Sequence, residues 1–517
     1  MAGISSDNKR IAKNTMVLYI RMFITMLVSL YATRVVLQAL GEEDYGIYNV
    51  VGGIVVMFAF LSRVLASASQ RYFAFELGRN DLQRLKQVFS ITQILYVLVI
   101  IIIIIAAESL GLWFLHSKAT IPSERMVAAN WIFQFSVISF SYTLFTTPYQ
   151  ANIIAHEKMD AYAFIGILEA LLHLLLALAL KFIPFSMDIL IIYGLMVLFN
   201  SIAVNSVYAV YSLKKYQESH FSYFWDAKLA KEILSYSGWN MFGAIAGVAR
   251  SQGINMLINV FFSPAINAAR GIAYQVNNAI NQFASNFYTA VRPQVTKNYA
   301  KGDISATFSL VFSSSKLTYY LLLFVAVPIM VFAEPILDLW LDVVPQHTLL
   351  FTELVVIVAL IDSLSNPLMT LAQATGKISL YQSVVGTLLL LNLPISWLFL
   401  KMGYQAEVTM VVAIVIAVIS LLARLLILRK ISGFPIRKYM VQVLIRICAP
   451  TILSFGVVLL IKTFAWPHST SIICIITKVV VAVIITTCMI MLTGLNRREK
   501  EMIYDVVKNR IHFKNKK

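Results

Sequence analysis

The sequence predicts an all-α polytopic membrane protein of about fourteen transmembrane helices, arranged as two pseudo-symmetric six-helix bundles plus two extra helices. Of the 517 residues, 59% are hydrophobic and only 13% charged, against roughly 25% charged in an average soluble domain. That excludes an ordinary water-soluble enzyme. A spanning helix needs about 20 mostly apolar residues, and apolar windows of that size recur along the whole chain. Lysine and arginine cluster in alternate gaps between the windows, as they do in short cytoplasmic loops. The formal net charge of +17 belongs to those loops, so no nucleic-acid partner is expected.

The chain opens on a polar, basic segment, MAGISSDNKRIAKN. The apolar stretch behind it is too long for the core of a cleaved signal peptide and is read as the first span. Windows at about 14–37, 46–68, 88–113, 128–150, 162–184 and 186–213 form an N-terminal bundle over 1–213, and 214–235 is a cytoplasmic linker. Windows at about 236–262, 271–291, 309–333, 350–373, 379–400 and 407–428 form a C-terminal bundle over 236–428. Two more, at about 441–465 and 470–493, make an appendage over 429–493, followed by a basic cytoplasmic tail, 494–517. Cys448, Cys474 and Cys488 sit inside apolar runs without metal or disulfide spacing and are read as packing residues.

With the N-terminus inside, the inner segments hold 28 lysines and arginines, whereas the outer loops hold only Lys118, Arg125, Lys181, Arg270, Lys401 and Lys462. Both termini then face the cytoplasm. The window at 271–291 carries Gln275, Asn277, Asn278, Asn281, Gln282 and Asn286, too polar a set to face lipid. Were it not a span, every later loop would switch sides and the charge asymmetry would break. It is expected to cross while lining a wet cavity. A weak repeat supports two similarly oriented halves: Gly46-Ile47-Tyr48 recurs as Gly271-Ile272-Ala273-Tyr274, and Val88-Phe89-Ser90 as Val311-Phe312-Ser313. Between them, Arg71, Gly78 and Asp81 find counterparts in Arg292, Gly302 and Asp303.

Depth decides which charges matter, because a charge at the bilayer centre costs about 2.5–3.5 kcal/mol on insertion scales. Arg34, Arg63, Lys316, Arg424 and Arg446 lie within a turn or two of a span end and are expected to snorkel to headgroups. Arg250, near the middle of its window, has no interface to reach and must meet water, an acid or a bound anion. Gln252, Asn255 and Asn259 share one face of the same span; Gln275, Asn278, Gln282 and Ser285 share one face of the next. These stripes are candidate walls of one solvated cavity, with interhelical hydrogen bonding as the alternative. Arg21 lies deep enough in the first span to be a second cavity cation. Among acids, Asp362 is near mid-span, and Glu169 with His173 forms an i, i+4 pair. They are candidates for a coupling ion, H+ or Na+, or for neutralising an arginine. No other cofactor and no metal is expected.

Enzyme signatures are absent. Gly376-Lys377 has Leu371 where a P-loop needs glycine and is followed by Ile378. His116, His156, His220, His347, His468 and His512 have no ligand spacing. The stretches ALGEEDYGIYNVVGGIV, residues 39–55, and SASQRYFAFELGRND, residues 67–81, resemble the N-terminal pattern of bacterial polysaccharide flippases, the O-antigen and capsule transporters of the multidrug, oligosaccharidyl-lipid and polysaccharide exporter superfamily. The resemblance implies a multi-pass protein of the bacterial inner membrane that moves a polyprenyl-pyrophosphate-linked oligosaccharide between leaflets by alternating access, with membrane lipids and other glycan-assembly membrane proteins as partners. It also implies a cationic cavity lined by spans 1, 2, 7 and 8, where Arg21, Arg63, Arg250 and Arg270 occupy comparable regions. A cation-coupled multidrug antiporter of the same superfamily and a lipid II flippase are the alternatives, ahead of an integral-membrane glycan polymerase or acyltransferase.

Overall fold

In hydrocarbon an unpaired backbone N–H or C=O costs several kcal/mol, and a helix satisfies these groups within one segment. The chain accordingly folds as helices, with no strand among the described residues. The computed structural model describes residues 2–56, 59–117, 121–182, 187–262, 264–341, 344–464, 472–496 and 499–500. Most of the expected basic tail, and Lys118, lie outside them.

The helices divide between two bodies, Lys13–Met241 and Phe242–Lys517 with Met1–Ala12. The first contains most of α1 (Ala2–Val56), then α2 (Ala59–Arg79), α3 (Leu82–Ala106), α4 (Leu112–Ser117), α5 (Met126–Ala155), α6 (Met159–Phe182), α7 (Ile189–Lys215) and the start of α8 (Ala227–Phe261). The second holds the rest of α8, α9 (Pro264–Ala300), α10 (Ile304–Val331), α11 (Ala333–Trp340), α12 (Thr348–Thr375), α13 (Ser379–Leu390) and α14 (Asn392–Lys401). It continues through α15 (Val408–Ser432), α16 (Ile436–Tyr439), α17 (Ile445–Phe464) and α18 (Ile472–Met489). Both α17 and α18 pack on α10.

Among the described residues, 10 helical stretches are long and apolar enough to cross a membrane. Helices α2, α5, α8 and α9 are also long, between 21 and 37 residues, but more polar. Every predicted window lies on helix wherever it is described, apart from Leu391, a turn between α13 and α14 in the middle of its window, and a few residues at window ends. The first two windows are separated inside α1 by Gly41, whose φ of 78° breaks the helix at a conformation open to glycine. The polar window belongs to α9, which packs along α10 and α12 as a member of the bundle. Helix ends overshoot the windows because hydropathy marks hydrocarbon, whereas a helix continues for as long as its backbone bonds are made.

The repeat is structural. Helices α3, α5, α6 and α7 begin at Leu82, Met126, Met159 and Ile189; α10, α12, α13 and α15 begin at Ile304, Thr348, Ser379 and Val408, offsets of 219 to 222. The turn into α3 has Asn80 at φ 57°, with Asn80 N–H on Leu77 C=O and Asp81 N–H on Glu76 C=O. The turn into α10 has Gly302 at φ 78°, with Gly302 N–H on Tyr299 C=O and Asp303 N–H on Asn298 C=O. Both are the same left-handed helix stop, followed by an aspartate that caps the next helix by accepting from Arg84 N–H or Ala306 N–H. The structural counterpart of Gly302 is thus Asn80, not Gly78. Phe89 and Phe312, matched in the repeat, each anchor an aromatic cluster: Phe89 against Phe73 and Tyr149, Phe312 against Phe434 and Tyr439.

Contacts sort the loops of the first body into two ends. At one end Arg125 pairs with Asp44 and Asp188, and Lys181 donates to Gln38 Oε1. At the other, Asn14 donates to Glu157 C=O, Arg84 lies 3.9 Å from Asp226, and His156 Nε2 meets Glu218 Oε1 at 2.6 Å. Burial opposes the Glu218 charge, but hydrogen bonds from His156, its own backbone and Asn152 outweigh it and hold its carboxyl below the usual glutamate range.

Two basic residues depart from the snorkelling expectation. Lys316 is 3% exposed and pairs with Glu499 at 2.6 Å. Arg424 is also buried, donating through Nε to Tyr381 Oη at 2.9 Å and through Nη1 to Ser365 Oγ at 3.0 Å. Their side chains point into the bundle, where polar partners await them. Arg34 and Arg63 are exposed.

Removing one partner of a buried ion pair strands the other, a cost of about 3–5 kcal/mol. Glu499→Gln is therefore expected to lower the thermal stability of the solubilised protein, with Lys316→Met/Glu499→Gln closer to wild type; a double variant as unstable as the single one would contradict this pairing. A carboxyl with a depressed pKa stabilises the fold above its unfolded value of about 4.3 and loses that contribution as pH falls through the lower folded value. Melting curves of Glu218→Gln against pH should then show a shallower acid limb than wild type, and an acid limb of unaltered slope would count against the assignment.

Candidate functional site

The two halves hold their membrane-depth cations differently. In the first body, Tyr162, Gly166, Glu169 and His173 follow one face of α6 at spacings of four, three and four. Arg21 of α1 lies over the Tyr162 ring, its Cζ 4.4 Å from the centroid. A Cβ at Gly166 would come within 2.3 Å of Arg21 Nε, so the glycine makes room for the guanidinium. Arg21 also interacts electrostatically with Glu169 and with Tyr208, whose hydroxyl donates to Tyr162 C=O at 3.3 Å. Glu169 interacts electrostatically with Arg21 rather than with the histidine one turn on, and forms a direct ion pair with neither. A cavity candidate and an ion-coupling candidate come together here, on a face whose other members, Tyr162 and Gly166, the sequence reading did not single out, although their spacing places them on it.

In the second body, α8 ends at Phe261 and α9 starts at Pro264, and contacts between them fold the two helices back into a hairpin. In such a hairpin, residues equally far from the turn lie level. Asn255 and Arg270 meet on this count, and Arg270 Nη1 donates to Asn255 Oδ1 at 3.2 Å. Its Nη2 donates to Ser251 C=O at 3.2 Å, and its Cζ sits 4.3 Å from the centroid of Tyr274, one turn on. Arg270 was expected in an outer loop; α9 begins six residues earlier, at Pro264, and the side chain is 4% exposed. Its Nε is buried without a hydrogen-bond partner. The same counting puts Arg250 level with Gln275, and Arg250 and Arg270 repel each other electrostatically. Neither arginine forms an ion pair with a carboxylate among the described residues.

Gln275, Asn278 and Gln282 are exposed along one face of α9, with Ser285 on the same line, and Gln252 is exposed on α8. Asn259 is within α8, and its side chain lies outside what is described. Asp362, in α12, interacts electrostatically with Tyr381, the residue that also accepts from Arg424. Arg63 stands apart from these groups, exposed on α2. No group of three His, Cys, Asp or Glu side chains among the described residues could hold a metal ion.

The second-body arrangement suits an anion. One guanidinium is fixed by an amide, a carbonyl and an aromatic face yet keeps a donor free, and a second lies near it. A diphosphate would satisfy both charges with planar, charge-assisted hydrogen bonds.

In the first body, Gly166→Ala should drive Arg21 off Tyr162, an overpacking cost of about 1–3 kcal/mol. Adding Arg21→Ala should remove that cost; thermal melts of the two single variants and the double one test it, and a double variant that melts no higher than Gly166→Ala would argue against the contact.

No protein-family model and no curated protein matches the sequence. Solved structures do match the fold. A MATE transporter in its bent conformation has 13% identity and a TM-score of 0.71 over 83% of this chain and 97% of its own. An outward-facing MATE family multidrug resistance transporter of the MOP superfamily has 14% identity and a TM-score of 0.70 over the same shares, 83% and 97%. The Vibrio cholerae MATE transporter VcmN in its bent form has 16% identity and a TM-score of 0.65 over 86% of this chain and 100% of its own. These neighbours are transporters, not enzymes, and the chain is a multi-pass membrane protein with their fold.

Proposed function

We propose that the protein is a flippase that carries a polyprenyl-pyrophosphate-linked oligosaccharide across the bacterial inner membrane by alternating access, with both termini in the cytoplasm. The observation that carries this reading is the Arg250 and Arg270 pair, repulsive and without a carboxylate partner among the described residues. A bare polar headgroup in hydrocarbon costs several kcal/mol per group. The guanidinium pair would take the pyrophosphate, and the exposed amides of α9, Gln275, Asn278 and Gln282, would take sugar hydroxyls while the polyprenyl tail stays in lipid. The protein makes and breaks no bond, and other glycan-assembly proteins supply and consume its cargo.

A second reading, a cation-coupled multidrug antiporter, is favoured by the fold shared with MATE transporters. It would use the acids: Glu169, whose charge is met by Arg21, and Asp362, beside Tyr381. A lipid II flippase uses the same chemistry as the first reading and differs in its glycan.

Each charge-assisted hydrogen bond lost is worth about 1.5–3 kcal/mol, so Arg250→Ala or Arg270→Ala is expected to cut glycan export roughly ten-fold or more, with normal protein levels in the membrane. Surface glycan in a strain that depends on this protein is the readout, and undiminished export by the double variant would overturn the proposal. Under the second reading it is Asp362→Asn that abolishes transport, read as efflux of a cationic dye driven by a proton or sodium gradient.

A further inference from the structure

The segment between α7 and α8 is fixed to the first body by groups facing inward and leaves a distinct set facing outward. Glu218 accepts from His156 and from Asn152, and Asn152 also donates to Ser219 Oγ at 3.0 Å. Ser219 meets Ser212 Oγ at 2.8 Å, and the Tyr216 ring stacks on His156 with centroids 4.0 Å apart. Farther along, Ser222 N–H donates to Ser90 Oγ at 3.3 Å. Asp226 faces Arg84 and caps α8 by accepting from Lys228 N–H and Leu229 N–H. The backbone is thus held from Tyr216 to Asp226, and both acids of the stretch are turned toward partners.

What remains outside is aromatic and basic. From Phe221 to Trp225 the residues alternate as in an extended chain, with Phe221 52%, Tyr223 82% and Trp225 46% exposed and Ser222 and Phe224 half-buried between them. Lys214, Lys215, Lys228 and Lys231 are all exposed on either side. Hydrogen bonds at Ser222 and Asp226 bracket this stretch on its inner side. Its level is set as well: the strap begins where the α7 span ends at Lys215 and touches Arg84 and Ser90, in the first turns of the α3 span that starts at Leu82. It lies at the edge of the hydrocarbon, where tyrosine and tryptophan concentrate at headgroup level and lysines meet acidic lipids.

We propose that residues 214–231 form an interfacial strap that binds anionic phospholipid headgroups, with Phe221, Tyr223 and Trp225 seated in the headgroup layer and Lys214, Lys215, Lys228 and Lys231 against the phosphates. Charge complementarity selects this occupant, since Glu218 and Asp226 are engaged inward and Glu232, the next acid along, accepts from Tyr72 Oη, which leaves the four lysines in excess on the outward side. The inference is independent of the cargo and of the Arg250 and Arg270 pair.

The test uses the full chain with Cys448, Cys474 and Cys488 replaced by alanine and a nitroxide on Tyr223→Cys, a position exposed enough that labelling disturbs no packing. Protein reconstituted in phosphatidylcholine vesicles, with or without phosphatidylglycerol, is probed for collisions with oxygen, which partitions into lipid, and with an aqueous nickel chelate. With phosphatidylglycerol the label should collide mainly with oxygen, at a depth of about 5–10 Å below the membrane surface as for other interfacial segments. Molar salt, or Lys→Gln at positions 214, 215, 228 and 231 together, should move it toward water. A label in water in both lipids would overturn the proposal and leave the strap to a soluble partner. A depth indifferent to phosphatidylglycerol, salt and the four lysines would overturn its anionic part.

Discussion

Every polar group carried into hydrocarbon needs a partner, and the rest of the structure follows from how each one finds it. Backbone groups find theirs in helices. Side chains find theirs across helices: Tyr142 on Ser206, Thr143 on Ser201, and Asn205 on Thr143 make a polar seam between α5 and α7. Arg424 is held by Tyr381 and Ser365, and Lys316 by Glu499. Partners of this kind tie the helices of each body together. Against that background, the free Nε of Arg270 and its repulsion with Arg250 identify a place where the fold stops short of neutrality.

The repeat sharpens the contrast. The two halves share helix order, the left-handed stop before an aspartate cap, and a phenylalanine at the same depth in an aromatic cluster. Backbone geometry is therefore common to both. Charge is not. In the first half the deep arginine lies on the Tyr162 ring of α6, with Glu169 of the same helix a more distant charge; in the second, two arginines share an amide-rich hairpin. Side chains on a repeated scaffold can diverge in charge, whereas the stops and caps that set helix angles cannot change without moving the whole bundle.

Hydropathy made the helices legible, since a window long enough to span must be helical. It could not show their ends, and this matters for Arg270. A loop position became a buried one because Pro264, well placed for a first helical turn, starts α9 before the apolar stretch does. The shared face of Gln275, Asn278, Gln282 and Ser285 on α9 was legible from spacing alone, because face follows from period; that Asn255 of α8 turns to Arg270 was not. The burial of Lys316 was not, since its partner lies 183 residues away and nothing local announces it. Arg424 looked like a snorkelling residue for the same reason: depth along a span can be counted, but direction around it depends on neighbours from other helices. Gly166 was legible only as a small residue on an apolar helix, and its purpose appears once Arg21 is seen above it.

Loop contacts also constrain the count of crossings. Arg125, in the third connection, touches Asp44 in the first and Asp188 in the fifth, while Glu157 in the fourth meets Asn14 before the first span. Side chains that touch cannot lie on opposite faces of a hydrocarbon layer roughly 30 Å thick, so an odd error in the number of spans in this half is ruled out by geometry. The ends so defined differ in charge. At one, a single arginine is shared between two aspartates; at the other, Lys158, Lys214, Lys215, Lys228 and Lys231 are exposed and outnumber the exposed acids Asp81, Asp160 and Glu232, while Glu218 and Asp226 are engaged. Translocating the second end would carry those lysines across the membrane, and retaining it would not. The proposed orientation therefore rests on two independent facts, which loops touch and which charges those contacts leave uncompensated.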